Sequence, residues 1–79
     1  MKIQTGSVVI ANAGRDSGGY FVVTACGERY CFIADGKSRK LGSPKRKNIK
    51  HIRLTDSMID INDITDKKLR TLLRAFRSE

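Results

Sequence analysis

The chain has 79 residues, which is room for one domain with a modest core, and 39% of them are hydrophobic while 30% are charged. This balance excludes a disordered tail, and no apolar run approaches the roughly 20 residues that a membrane-spanning helix needs. The formal net charge of +8 instead favours a polyanionic partner, such as a nucleic acid, an anionic membrane surface or an acidic protein.

The N-terminal residues and the cysteines indicate the compartment. Residues 1–6 contain no apolar signal segment, so we expect a cytoplasmic protein. Cys26 and Cys31 are the only cysteines and His51 is the only histidine, whereas a zinc site needs about four such ligands. A stable disulfide is not expected in the cytosol. We therefore predict two plain thiols on or near a strand, with no metal and no cofactor.

The first half of the chain predicts short β-strands separated by turns. Runs of β-branched and aromatic residues alternate with clusters of turn formers at 12–19 and 26–29. Asp35-Gly36 is typical of a two-residue hairpin turn, and Gly42, Ser43 and Pro44 break the pattern further on. The predicted strands are residues 7–11, 20–25, 30–34, about 38–41, and 49–54.

Five short strands within about 50 residues indicate a small antiparallel barrel over residues 6–54, since a barrel removes exposed strand edges. A helix is predicted over about 65–77, with Thr65 as its N-cap. Its apolar stripe follows helical spacing and is predicted to cover the barrel, although a partner-binding role stays open. The stripe consists of Leu69, Leu72, Leu73 and Phe76. The connector, residues 55–64, is expected to be held by Met58, Ile59, Ile61 and Ile64.

All of the net charge comes from residues 37–53. That segment holds eight basic residues and no acidic one, whereas the rest of the chain holds eight of each. Lysine supplies adaptable point charges, and arginine supplies a fork that grips a phosphate or stacks on a base. A membrane surface fits less well, because the segment lacks interleaved large apolar residues that would insert. The eight basic residues are Lys37, Arg39, Lys40, Lys45, Arg46, Lys47, Lys50 and Arg53.

Residues 6–18 form a strand followed by a glycine-rich loop, Gly-Ser-Val-Val-Ile-Ala-Asn-Ala-Gly-Arg-Asp-Ser-Gly. This pattern resembles the KOW motif of several ribosomal proteins and of NusG-type transcription elongation factors. Gly6 matches the opening glycine, Gly14 begins the loop, and Gly18 matches the hallmark glycine. Ser17 and Gly19 stand where the motif commonly has lysines.

Residues 37–41 and 44–51 extend the likeness to small bacterial KOW-domain proteins similar to a large-subunit ribosomal protein of archaea and eukaryotes. The resemblance implies an SH3-like barrel that binds RNA, often ribosomal RNA, through the loop between Gly14 and Gly18. Because that loop lacks two common lysines, we expect the basic segment to make the main contact. Arg15 is a secondary candidate. Tyr20, Tyr30 and His51 could stack on bases if exposed, although packing is the expected role of the two tyrosines.

We therefore predict a non-catalytic RNA-binding module in a ribosomal or ribosome-associated setting, monomeric when free. The alternative is a protein-interaction module that docks to the transcription or translation machinery, including ribosomal or transcription proteins. No catalytic constellation is visible: His51 lies within the basic segment and no nucleophile motif is present. The aspartates between residues 56 and 66 lack the glycine and glutamate of a calcium loop.

Overall fold

The computed structural model describes residues 2–77 and shows a mainly β protein with one C-terminal helix. Its five strands are joined by loops, except that a short 3-10 turn links the last two. The elements are β1 (Ser7–Ala11), β2 (Tyr20–Cys26), β3 (Tyr30–Ala34), β4 (Lys45–Asn48), the 3-10 turn (Ile49–His51), β5 (Ile52–Met58) and α1 (Asp66–Arg77). The first three strands and the helix confirm the predicted positions to within a residue.

The strands form one antiparallel sheet in the order β4-β3-β2-β1-β5. No ladder joins β4 to β5 within residues 2–77, so the sheet is open and only loosely resembles the predicted closed barrel. The 3-10 turn spans the gap instead. The Ile49 amide donates to the Arg29 carbonyl, and the His51 carbonyl accepts from the Asn12 amide, each at 2.9 Å.

Both faces of the sheet carry apolar side chains, as the strand sequences predict. Because successive side chains in a strand point to opposite faces, each apolar run supplies two clusters. The inner cluster comprises Val9, Ala11, Phe21, Val23, Cys31, Ile33 and Ile52, with Ile3, Ile49 and Leu54 partly buried at its edge.

The helix α1 covers the opposite face. This outer cluster includes Val8, Val22 and Ala34 from the sheet, with Leu69 and Leu73 from the helix. Packing of the helix on the sheet is therefore confirmed. Phe76 adds a partly buried ring, whereas Leu72 is 36% exposed and lies at the margin of the stripe. No helix in the described part of the chain is long and apolar enough to cross a membrane.

The fourth strand was predicted too early in the sequence. Residues 38–41 belong to a loop, because the Asp35 carboxylate accepts from the amides of Lys37 and Arg39, both at 2.9 Å. These bonds build an Asx-type turn that replaces the predicted two-residue hairpin. The true strand, β4, contains no apolar residue and therefore gives no hydrophobic signal. It lies at the edge of the sheet, where charged side chains are favoured.

The fifth strand begins and ends later than predicted. Residues 49–51 form the 3-10 turn, and β5 continues through residues 55–58, which were assigned to the connector. Ile59, Ile61 and Ile64 do pack against the outer cluster. Met58 does not, since it is 56% exposed.

Candidate nucleic-acid interface

Two of the eight cations in the basic segment contact the loop between β1 and β2. The Lys47 side chain is only 9% exposed, and its Nζ lies 2.8 Å from the Ala13 carbonyl oxygen and 3.7 Å from Asp16 Oδ2. Arg39 contacts the same carboxylate through two nitrogens, at 3.2 and 3.3 Å. Both side chains therefore support that loop, and RNA contact by these two residues stays a prediction.

The glycine-rich loop between β1 and β2 is itself tightly bonded. The Gly18 amide donates to the Ala11 carbonyl at 2.7 Å, and the Ala11 amide donates to the Gly19 carbonyl at 3.0 Å. Gly6, Gly14 and Gly18 all have positive φ angles, which side chains other than glycine adopt at a cost. The three motif glycines thus set the shape of the backbone and offer no side chain to a ligand.

The other six cations of the basic segment are exposed. They are distributed over the loop before β4, the edge strand, the 3-10 turn and the start of β5. The ion pairs within residues 2–77 engage none of them. Long exposed side chains with unneutralised charge are suited to phosphate contact. The six are Lys37, Lys40, Lys45, Arg46, Lys50 and Arg53.

A cleft of about 580 Å³ opens between the glycine-rich loop, the β3–β4 loop and α1. Arg15 and Lys37 line this cleft together with Arg70 and Arg74 from the helix. Two carboxylates, Asp16 and Asp35, also line it. Arg70 also donates to the Gly36 carbonyl at 2.8 Å, which fixes the helix against the β3–β4 loop. The cleft brings cations from three separate segments into one concavity.

The sequence pattern did not single out the two helix arginines. Arg70 and Arg74 lie off the apolar stripe, in the part of the chain with no net charge, and were given no role. Their spacing of four residues does put them on one helix face, which is the signal that was available. The position of the β3–β4 loop beside these arginines was not predicted, because the turn at Asp35 was predicted as a two-residue hairpin.

Hydrogen bonds hold the backbone around the 3-10 turn. The Asn48 side chain accepts from the Lys50 amide at 2.9 Å, and Asn48 caps the turn. His51 is exposed, and only its backbone carbonyl is engaged in the contact with Asn12. Lys50 and His51 are therefore presented outward by a fixed backbone.

The two cysteines lie on neighbouring strands. Cys26 at the end of β2 is the cross-strand partner of Cys31 on β3, and both are free thiols. Cys31 is buried in the inner cluster, and that burial, together with Cys26 nearby, raises the pKa of its thiol to about 11. A nucleophilic thiolate is thus disfavoured at Cys31.

No model of a known protein family matches this chain, and no curated protein matches it closely. The resemblance to the KOW motif therefore stays a prediction that rests on the residues quoted for it.

Proposed function

We propose that this protein binds RNA through its phosphate backbone, using the six exposed cations of the basic segment together with Arg15. One observation carries the proposal: six of the eight segment cations remain exposed without an acidic partner among the described residues. A surface built only for solubility mixes both signs of charge. Here a single continuous segment supplies all the net charge and contains no Asp or Glu.

The fold supports this use of the segment. Charge that is carried on an edge strand and its flanking turns is held in fixed positions by the sheet, so less side-chain and loop ordering is needed on binding. The cleft lined by Arg15, Lys37, Arg70 and Arg74 adds a second cationic region next to the glycine-rich loop. A polyanion that follows the basic segment would reach this cleft through Lys37.

The choice of RNA over DNA and the ribosomal setting come from the resemblance to KOW proteins. Under that hypothesis the ligand is structured RNA, ribosomal RNA in particular, and the protein works in or beside the ribosome as a non-catalytic component. The apolar stripe of α1 packs on the sheet, so little of its area is left to contact a partner protein.

Salt-dependent binding tests the proposal. Each neutralised phosphate of a single strand contributes about 0.7 to the slope of log K against log salt, so six contacts give a slope of about −4 and half of them about −2. We expect a slope in this range for a fluorescent RNA. A slope near zero, or no binding at low salt, would contradict RNA binding and favour a protein-interaction module.

Two further comparisons test the narrower statements. Duplex DNA should bind more weakly than structured RNA of equal length at the same salt concentration. The protein should sediment with ribosomal subunits at low salt and dissociate at high salt. Equal binding of duplex DNA would remove the preference for RNA, and failure to sediment would remove the ribosomal setting while leaving RNA binding intact.

A further inference from the structure

Two aromatic side chains lie next to each other on the uncovered part of the sheet. Tyr30 and Phe32 on β3 are 42% and 38% exposed, whereas Ala34, two residues further along the same strand, is buried under the helix. All three belong to the outer face, since Cys31 and Ile33 between them belong to the inner cluster. The helix therefore covers one end of β3 and leaves the other end open.

The remaining aromatic residues of the chain all serve packing. Phe21 is buried in the inner cluster, and the rings of Tyr20 and Phe76 stack with their centroids 6.0 Å apart. A single exposed apolar residue is ordinary in a folded protein. Two exposed rings on the same face of one strand are less common, and Phe32 has no polar group that water can solvate.

Arg46 completes a surface that combines rings with positive charge. It lies on the edge strand directly opposite Phe32, and its guanidinium carbon is 4.8 Å from the centroid of the Tyr30 ring. This is the distance of a cation–π contact, which holds the guanidinium over the ring. We call Tyr30, Phe32 and Arg46 the stacking surface.

A lysine lies beside the stacking surface. Lys50 belongs to the 3-10 turn that begins after Asn48, the cross-strand partner of Tyr30, whereas Lys45 pairs with Ile33 and therefore starts from the inner face of β4. Both lysines are exposed. A ligand that fits this region must therefore present a flat, polarisable ring and a negative charge within the same short segment.

We propose that the stacking surface binds an unpaired base of an RNA strand whose adjoining phosphate is held by Lys50. This inference rests on the proposed function and deepens it, because it names an unpaired segment rather than a regular duplex as the ligand. Bases within an A-form helix are stacked on one another and cannot reach a pair of rings on a strand, whereas bases in loops and single strands can. Aromatic rings and guanidinium planes are the groups on which such bases stack.

The test compares ligands that carry equal charge and differ in their bases. The wild type and a Tyr30→Val, Phe32→Val double variant are titrated with a short oligoadenylate, an abasic strand with the same number of phosphates, and a blunt-ended RNA duplex made of two strands. Valine is chosen because it favours strands and removes only the rings. We expect the double variant to bind oligoadenylate about 10-fold to 100-fold more weakly, with an unchanged salt slope and unchanged affinity for the other two ligands.

A fluorescence measurement reports the stacking contact directly. The chain has no tryptophan and two tyrosines, so a Tyr20→Phe variant leaves Tyr30 as the only strong intrinsic fluorophore. Oligoadenylate should quench Tyr30 emission in that variant, while the abasic strand should not. This readout needs no substitution within the stacking surface and holds even if the valine variant folds poorly.

The outcomes separate this inference from RNA binding itself. Salt-dependent binding with equal affinity for oligoadenylate and the abasic strand would overturn the stacking surface and leave the proposed function standing. Equal losses of affinity for both strands in the valine variant, without quenching of Tyr30, would also overturn it. Absence of binding to every ligand would overturn both.

Discussion

Arg39 and Asp16 form a two-point contact between the β3–β4 loop and the glycine-rich loop. Arg39 Nε lies 3.3 Å from Asp16 Oδ1, and its Nη2 lies 3.2 Å from Oδ2. Lys47 Nζ approaches the same carboxylate at 3.7 Å, so one acid serves two cations from the basic segment. The contact ties together two loops that line the cationic cleft.

Removal of Asp16 should destabilise the fold more than removal of Arg39. In Asp16→Ala the nearly buried Lys47 ammonium keeps only the Ala13 carbonyl, and a poorly compensated charge of this kind costs about 1–3 kcal/mol. Arg39 is 30% exposed, so Arg39→Ala should cost about 1 kcal/mol or less. Urea titration of each variant measures the two free energies of unfolding.

A double variant provides the control for this explanation. Asp16→Ala combined with Lys47→Met removes the unpaired ammonium and keeps most of the apolar volume, so it should regain part of the stability lost in Asp16→Ala. Equal losses in Asp16→Ala and Arg39→Ala, or additive losses in the double variant, would show that Lys47 does not depend on Asp16.

Exposed lysines of the basic segment should control RNA affinity, whereas matched lysines elsewhere should not. A Lys45→Gln, Lys50→Gln variant should reduce the magnitude of the salt slope by about 1.4, since each lost phosphate contact contributes about 0.7. The control is Lys67→Gln, Lys68→Gln, which removes the same charge from exposed positions at the start of α1. Both variants should unfold within about 0.5 kcal/mol of the wild type. Equal slopes in the two variants would mean that net charge alone, rather than the segment, determines binding.

The sequence predicted those parts of the fold that carry an apolar signal. Strands β1, β2 and β3 and helix α1 each bury side chains at regular spacing, and each was found near its predicted position. Strand β4 was missed because its four residues are Lys-Arg-Lys-Asn, which pair along the backbone without contributing an apolar cluster. Its position depends on the Asx-type turn at Asp35, a side-chain contact that the Asp-Gly pair alone does not reveal.

The burial of individual cations in the basic segment could not be predicted from the sequence. Charge counting located the segment, but it does not distinguish Lys45, which is exposed, from Lys47 two residues later, which is buried. That difference depends on which loop folds over β4. Packing was the expected role of Tyr30. The helix covers β3 at Ala34 but does not reach Tyr30, which is exposed.

Gly36 should be intolerant of any side chain. Its φ angle is +78°, and a Cβ there would collide with the carbonyl oxygen of Asp66, whose carboxylate holds the Leu41 amide at 2.8 Å. We expect Gly36→Ala to lower the free energy of unfolding by about 2 kcal/mol or more. Gly42→Ala is the control, because a Cβ at Gly42 meets nothing within 4 Å, and it should change stability by about 0.5 kcal/mol or less. Similar losses in the two variants would contradict the close approach of the β3–β4 loop to α1.

Cys26 and Cys31 should differ in reactivity although they are cross-strand partners. Cys26 is exposed, whereas burial raises the pKa of the Cys31 thiol from 9.0 to about 11. Under reducing conditions near pH 8.5, iodoacetamide should label the folded protein once, at the exposed Cys26. It should label the protein twice after unfolding in guanidinium, as counted by mass spectrometry. Labelling of folded Cys26→Ser would contradict the burial of Cys31.

The raised pKa of Cys31 also predicts a loss of stability at alkaline pH. Well below pH 9.0 the Cys31 thiol is protonated in both states and adds no pH dependence. Between pH 9.0 and about 11 the unfolded state releases the proton while the folded state retains it, so rising pH favours unfolding. The effect should be on the order of 1 kcal/mol per pH unit. Urea titrations of Cys26→Ser, with and without Cys31→Ala, separate the contribution of Cys31 from the ionisation of lysines and tyrosines. The stability advantage of the variant that retains Cys31 should shrink as pH rises, and a constant difference would show that Cys31 ionises equally in both states.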